Sequence, residues 1–401
     1  MILELGFALL LGLLIGTITG LAPGIHINLI SAILLGLSTF LLSLVSPIVL
    51  VVFLVSMAMT HTFVDYIPSI FLGAPDEENF LSILPGHEML IKGEAYSAVV
   101  YTLYGSLSGL LIILLFSPLF FFFLPIIYPY AERIMPFILI LTCFFLIYFE
   151  KSSKLWAFLI FIISGLLGIS VLNLPIKEPL LPLFTGLFGV SSLITSITKK
   201  QTIPLQKIKP LKEITIPKKS FFKSILASLI ASPLCSFLPG MGSGQAAVIG
   251  SEVTGDLDRK EFLVLLGAIN TIVTGLSFIT LYTISKARTG VAVAIEEIIQ
   301  LSVKDLFIIT GVIFLSGIIS FFITIFITKY FAKFVSKVNY QILSIIIILI
   351  LFLVVFYFSG FLGFLAMLIS SCIGLTCIYS GVRRTHMMGS LLISTILYYI
   401  L

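Results

Sequence analysis

Leu21-Ala-Pro-Gly-Ile-His-Ile-Asn28 and Leu238-Pro-Gly-Met-Gly-Ser-Gly-Gln245 are short polar interruptions at matching places in the two halves of an otherwise apolar chain. Proline lacks an N–H and disfavours helix in the residue before it, while glycine permits positive φ, so each Pro-Gly ends one helical segment and starts another. In hydrocarbon an unpaired backbone N–H or C=O costs several kcal/mol. An interrupted helix at membrane depth therefore persists only where protein or a watery cavity satisfies it. Paired interruptions in two halves point to a transport site.

Composition places the whole chain in the bilayer. Of 401 residues, 59% are hydrophobic and 10% charged, and mean hydropathy is +1.22, whereas soluble domains carry about 25% charged residues. An integral, multi-pass protein of the cell membrane follows, with room for many spans of about 20 residues and none for a sizeable soluble domain. The net charge of +5 is concentrated: eight of the 23 basic residues are lysines between 199 and 223, opposed there by Glu213. The positive-inside bias makes this a solvated cytoplasmic loop, with anionic-lipid contact as the alternative and no nucleic-acid partner. Cys143, Cys235, Cys372 and Cys377 lie in apolar surroundings at no metal or redox spacing, and read as small buried hydrophobes. The N-terminus shows no basic n-region and no small-residue cleavage site, so its apolar stretch is expected to be retained.

Apolar runs long enough to span occur at 49–71, 97–125, 134–149, 155–172 and 180–197, and again at 262–284, 306–328, 341–358, 361–380 and 387–401. Each set of five follows a stretch broken by Pro-Gly, residues 4–45 and 221–255. Pro23-Gly24 corresponds to Pro239-Gly240, His61-Thr62-Phe63-Val64 to Asn270-Thr271-Ile272-Val273, and Leu107-Ser108-Gly109 to Leu315-Ser316-Gly317, in the same order in both halves.

Loop charge then sets orientation. The basic loops follow the third and fifth spans of the first half (Lys151, Lys154; Lys199 onward) but the second and fourth of the second half (Lys329, Lys333, Lys337; Arg383, Arg384). With basic loops cytoplasmic, the halves are inserted upside down relative to each other. The expected fold is an all-α polytopic membrane protein, an inverted repeat of five spans plus one re-entrant helical hairpin per half. Residues 1–198 form the first repeat (hairpin 4–45, spans 49–197), 199–220 a lysine-rich linker, and 221–401 the second repeat (hairpin 221–255, spans 262–401).

The two tips differ in kind. Pro239, Gly240, Gly242, Ser243, Gly244 and Gln245 offer bare backbone amides at the start of a helix, a ready anion site. Pro23, Gly24, His26 and Asn28 offer side chains instead. If the hairpins meet near the midplane, one substrate touches both; the competing account is a pair of kinks at close helix crossings. His61 and Asp65 stand four residues apart on one face of the first full span, placed either to couple H⁺ or Na⁺ or to form a structural pair, and Asn270 occupies the equivalent place in the other half. Asp76, Glu77 and Glu78 are adjacent acids of a loop, which seldom converge on one ion, so no metal and no cofactor is expected.

After the first span the chain reads Leu72-Gly-Ala-Pro-Asp-Glu-Glu-Asn79, Leu84-Pro-Gly-His-Glu-Met89 and Lys92-Gly-Glu-Ala95. This order resembles the TctA family, the large permease subunit of tripartite tricarboxylate transporters, and the two Pro-Gly breaks resemble that family's paired glycine motifs. Motif-level likeness covers residues 16–32, 61–97 and 232–255, and points to a divergent, archaeal branch. His26 stands where the family tends to have glycine, and the chain is short beside a full-length member. The resemblance implies a secondary transporter of small carboxylates working with a small membrane subunit and an extracytoplasmic binding protein; a homo-oligomer stays open.

No serine has a nucleophile-plus-base spacing and no His-Glu-x-x-His is present, so an enzyme is not expected. The function that follows is alternating access for a small anion, a carboxylate by resemblance, at a midplane site between the hairpins. The alternative is translocation of polyprenyl-phosphate lipids, because paired glycine-rich hairpins also resemble families that do this and the same amides would grip a phosphate.

Overall fold

A computed structural model describes residues 2–22, 31, 34–35, 37–73, 81, 83–199, 203–237, 243–255, 257–287, 289–337 and 339–400. Among them the regular structure is helical. The helices are α1 (Ile2–Leu21), α2 (Ser38–Leu44), α3 (Pro47–Val64), α4 (Tyr66–Leu72), α5 (Ile83–Ile91), α6 (Ala95–Tyr148), α7 (Lys154–Asn173) and α8 (Leu180–Phe184), which runs through a π-turn, Thr185–Val190, into α9 (Ser191–Thr198). Then come α10 (Lys218–Phe237), α11 (Ser243–Thr254), α12 (Arg259–Ile284), α13 (Gly290–Ile298), α14 (Val303–Val335), α15 (Tyr340–Ser380) and α16 (Gly389–Ile400).

Eight helical stretches among the described residues are long and apolar enough to cross a membrane. Pro47–Leu72 and Arg259–Ile284 form the centre, with 83% and 94% of their most apolar stretch buried, whereas Ala95–Tyr130 and Gln341–Ser380 bury 22% and 28% and turn their apolar surface outward. The count departs from ten for identifiable reasons. Arg133–Tyr148 is a shorter apolar helix. Residues 341–358 and 361–380 count as one stretch by length, yet they are two helices joined at a kink at Gly360, whose φ of 68° is left-handed. Residues 387–401 yield only the 12 residues of α16, because a buried 3₁₀ turn, Arg384–Met388, takes up the start. Conversely α1, expected as a hairpin arm, is by itself long enough to cross.

A 54-residue helix such as α6 would be about 80 Å long if straight, against about 30 Å of hydrocarbon. Both its ends nevertheless lie at one end of the bundle. Ala95 N–H donates to Gln206 Oε1 (3.0 Å), Gln206 N–H to Ser336 Oγ (3.1 Å), and the carbonyl of Leu146 accepts from Arg383 (3.1 Å), which shares a cavity with Glu88. The chain therefore turns back inside α6, where Pro118, Pro125, Pro129 and Pro136 remove helix hydrogen bonds.

The loops carrying Lys151, Lys207, Arg259, Lys337 and Arg383 are joined at that same end by the Gln206 bonds, by a Glu88–Arg259 ion pair and by Arg383 bridging to Glu150 and Glu252. The lysine-rich linker is a docked strap. Tyr101 and Tyr104 hydroxyls donate to the carbonyls of Thr215 (3.3 Å) and Leu211 (3.0 Å), and Ile203, Ile208, Leu211, Ile214 and Ile216 pack on the core while lysines face out. The Lys92-Gly93-Glu94-Ala95 stretch receives it: Gly93 takes φ 75°, its carbonyl accepts from Lys207 N–H (2.8 Å), and the carbonyl of Leu90 accepts from the Gln206 amide (3.0 Å).

Helices from the first and second halves of the chain pair with one another. α3 packs on α1 of its own half and on α14 of the other; α12 packs on α10 of its own half and on α6 of the other. Likewise α16 packs on α7, and the π-turn with α9 on α15. Close crossings use small residues. Gly12 and Gly16 of α1 lie against the Phe53 and Met57 carbonyls of α3, and Gly105 of α6 and Gly267 of α12 lie against each other's backbone.

Candidate functional site

The centre of the bundle is polar. On α3 and α4, Ser56, Thr60, His61, Thr62, Asp65 and Ser69 are buried; on α12, Asn270, Thr271, Thr274, Ser277 and Thr280 are. The two helices touch. Serine and threonine are tolerated there because each hydroxyl can return its proton to a carbonyl one turn back, as Thr60 does to Ser56 (2.8 Å) and Thr274 to Asn270 (2.9 Å). Ser320 of α14 donates to Thr60 Oγ1 (3.0 Å), joining the halves.

Of the residues expected at the tips, Pro23, Gly24, His26, Asn28, Pro239, Gly240 and Gly242 lie outside the described residues. Ser243 and Gly244 are buried in the first turn of α11, and Gln245 follows in the same turn. The arms that lead to the tips run beside the polar centre, α1 along α3, and α10 and α11 along α12.

His61 is held by the first arm. Its Nδ1 lies 3.1 Å from Thr19 Oγ1, and because the Thr19 hydroxyl donates to the Gly16 carbonyl (3.2 Å), it accepts from Nδ1–H. Asp65 lies not in mid-helix but at the joint of α3 and α4, where its N–H still donates to the His61 carbonyl (3.0 Å). His61 is thus linked to the stem of the first tip, and Asn270 is enclosed on the equivalent helix of the other half.

A second polar cluster, not singled out from the sequence, occupies the basic end. Glu150 is 3% exposed and His386 fully buried, with Nε2 2.6 Å from Glu150 Oε2. The same carboxylate accepts from the Ser152 N–H (2.9 Å) and the Arg383 N–H (3.2 Å). Burial alone would push Glu150 up, but these donors outweigh it and hold the carboxyl at about 2. Burial pulls His386 below the ordinary histidine range against the pull of Glu150, so the ring is neutral and donates Nε2–H. Arg383 also reaches Glu252 on the last turn of α11 (3.1 Å). The cluster ties α11 to the loop after α6.

Beside it lies a cavity of about 280 Å³ bounded by α5, the π-turn, the end of α11, the start of α12 and residues 383–385. The sequence hint was slight: an acid, two arginines and a histidine close to span ends, which the charge rule counts only as loop charge. His87, within the family-like stretch, lies with Nε2 3.1 Å from Ser196 Oγ and so fastens α5 to α9. Among the described residues no group of three or more His, Cys, Asp or Glu side chains is arranged to hold a metal.

Residues 7–389 match the family model described as the tripartite tricarboxylate transporter TctA family. An uncharacterized protein of the archaeon Methanocaldococcus jannaschii is 35% identical over 294 residues, 72% of this chain and 71% of its own. No solved structure matches the chain. The match falls on the carboxylate-transporter side of the two alternatives, not on lipid translocation.

Proposed function

The chain belongs to the tripartite tricarboxylate transporter TctA family, and from that membership we propose that it is the membrane permease of a secondary transporter for a small carboxylate. The two halves are inverted repeats, and substrate is held near the midplane between their hairpin tips. The amides at Gly240, Gly242, Ser243 and Gly244, with Gln245, grip the carboxylate, while His26 and Asn28 contact a second polar group. Pro23, Gly24 and Pro239 turn the chain at the tips. His61, Asp65 and Asn270 line the path on the two central helices, and His61 with Asp65 couples entry to H⁺ or Na⁺.

One observation carries this reading: each enclosed polar helix, α3 and α12, packs on its own half's interrupted arm and on the other half's long helix. A machine that alternates by moving one half against the other needs its site where those exchanged contacts cross. The meeting of the loops that carry Lys151, Lys207, Arg259, Lys337 and Arg383 at one end of the bundle supports the inverted insertion. α1 then enters and returns through α2 without crossing. As part of a tripartite system, the permease works with a small membrane subunit and an extracytoplasmic binding protein.

The test is uptake of labelled citrate and succinate by cells expressing the chain under an imposed proton or sodium gradient. Valine at positions 242 and 244 abolishes uptake while leaving membrane yield and unfolding temperature unchanged. Undiminished uptake by this double variant would overturn the hairpin site.

A further inference from the structure

The cavity at the basic end carries a charge balance that the hairpin site does not explain. Its described lining holds Arg259, Arg383 and Arg384 against Glu88, Glu252 and Asp258. Arg259 pairs with Glu88, Arg383 with Glu252 and Glu150, and Asp258 accepts from the Glu261 N–H (2.7 Å) as the N-cap of α12. Arg384 is left over. Its Nη1 donates to Ser192 Oγ (2.5 Å), and among the described residues no carboxylate lies within ion-pair distance of it. The Ser192 hydroxyl gives its own proton to the Phe188 carbonyl, so it can only accept from the guanidinium. Next along the chain, Thr385 Oγ1 is buried with no hydrogen-bond partner among the described residues and belongs to the same lining.

A half-buried cation with no described carboxylate at ion-pair distance and an unpartnered buried hydroxyl are both costly unless a ligand completes them. A guanidinium and a hydroxyl on the lining of one cavity together match one carboxylate group. Around them Phe188, Phe262, Leu81 and Leu257 supply apolar walls, and about 280 Å³, just under the range of drug-sized sites, suits a ligand of a few carbons.

We propose that this cavity is a second, cytoplasmic binding site for a small organic anion bearing a single carboxylate, which pairs with Arg384 and accepts from Thr385 while its carbon skeleton lies on Phe188 and Phe262. With Arg259 and Arg383 already paired and Asp258 held only by a backbone N–H, a second negative group finds no free cation in the described lining and faces Asp258, so the site selects monoanions. It is distinct from the hairpin site and stands without it.

The experiment is equilibrium binding of labelled butyrate to the purified full chain in nanodiscs, with succinate and citrate as competitors and no ion gradient. Butyrate binds to the natural sequence, and succinate and citrate compete at least tenfold less well than unlabelled butyrate. Arg384→Gln weakens butyrate at least tenfold, Arg384→Lys restores part of it, and Thr385→Val, which removes no charge, weakens it about threefold. Glu88→Gln frees Arg259 and lets succinate compete. Butyrate binding unchanged in a folded Arg384→Gln or Thr385→Val protein, or succinate outcompeting butyrate on the natural sequence, overturns the site. A chain that binds butyrate through Arg384 but takes up no carboxylate refutes the transport reading and leaves this site standing; the reverse pair of results refutes this site alone.

Discussion

Glu150 is one acid doing three jobs: it orients His386, receives the Arg383 main chain and side chain, and caps the turn after α6 through Ser152. Its carboxyl sits at about 2 in the folded chain and ordinarily at 4.5. A lowered carboxyl contributes stability that is present above about 4.5 and is lost as pH falls toward about 2. At pH 7, Glu150→Gln should therefore lower stability by about 1–3 kcal/mol, the lower part of the range for breaking a buried pair because the Arg383 side chain is 37% exposed and screened. The gap between the unfolding temperatures of the two proteins should narrow by about half at pH 3 and close toward pH 2; a gap as wide at pH 3 as at pH 7 would exclude an ionised Glu150. The long-range part was not visible in the chain, where Glu150 is a lone acid before Lys151 and its partners Arg383 and His386 are more than 230 residues away. His61 was visible, since a titratable group in an apolar run stands out, but its contact with Thr19 was not.

At the scale of elements, glycine spacing and proline position carry the information. Gly12, Gly16 and Gly20 recur every four residues on α1 and meet α3 along one stripe, a signal readable in the sequence as a helix-crossing face. The crossing of α6 and α12 is tighter still: a β-carbon on Gly267 would fall on the Thr102 carbonyl, whereas one on Gly311 of α14 would meet nothing. Gly267→Ala should cost about 1–3 kcal/mol by forcing the two backbones apart. Gly311→Ala should be neutral to mildly stabilising, because alanine is favoured over glycine in a helix by about 1 kcal/mol. Thermal unfolding of the two variants in detergent decides it, and equal effects would mean that α6 and α12 do not approach so closely. The four prolines of α6 split it into two shorter apolar pieces, as the runs at 97–125 and 134–149 anticipate, while the docking of the linker on Tyr101 and Tyr104 had no local signature.

For the whole molecule, the topology is open to direct test. Lys151 and Lys207 belong to the end where the basic loops meet, and Lys177 neighbours Glu178, whose carbonyl accepts from Ser359 (3.0 Å) beside the Gly360 break. Single cysteines at 151 and 207 should react with an impermeant maleimide only after the cytoplasmic face is opened, and one at 177 should react from outside. Labelling of 151 and 177 from the same side would break the assignment, since α7 would then not cross.

The sequence by itself determined the class, the family and the all-helical plan, because hydropathy acts locally on each segment as it meets the bilayer. It also marked where helices break, since proline and glycine act on their own backbone. Only the tertiary structure decided which helix pairs with which, that the linker is a strap, and that Glu150, Glu252, Arg383, Arg384 and His386 meet in one place. Those contacts join residues far apart in the chain, through exchanged packing between the halves, and no local pattern encodes a partner at that distance.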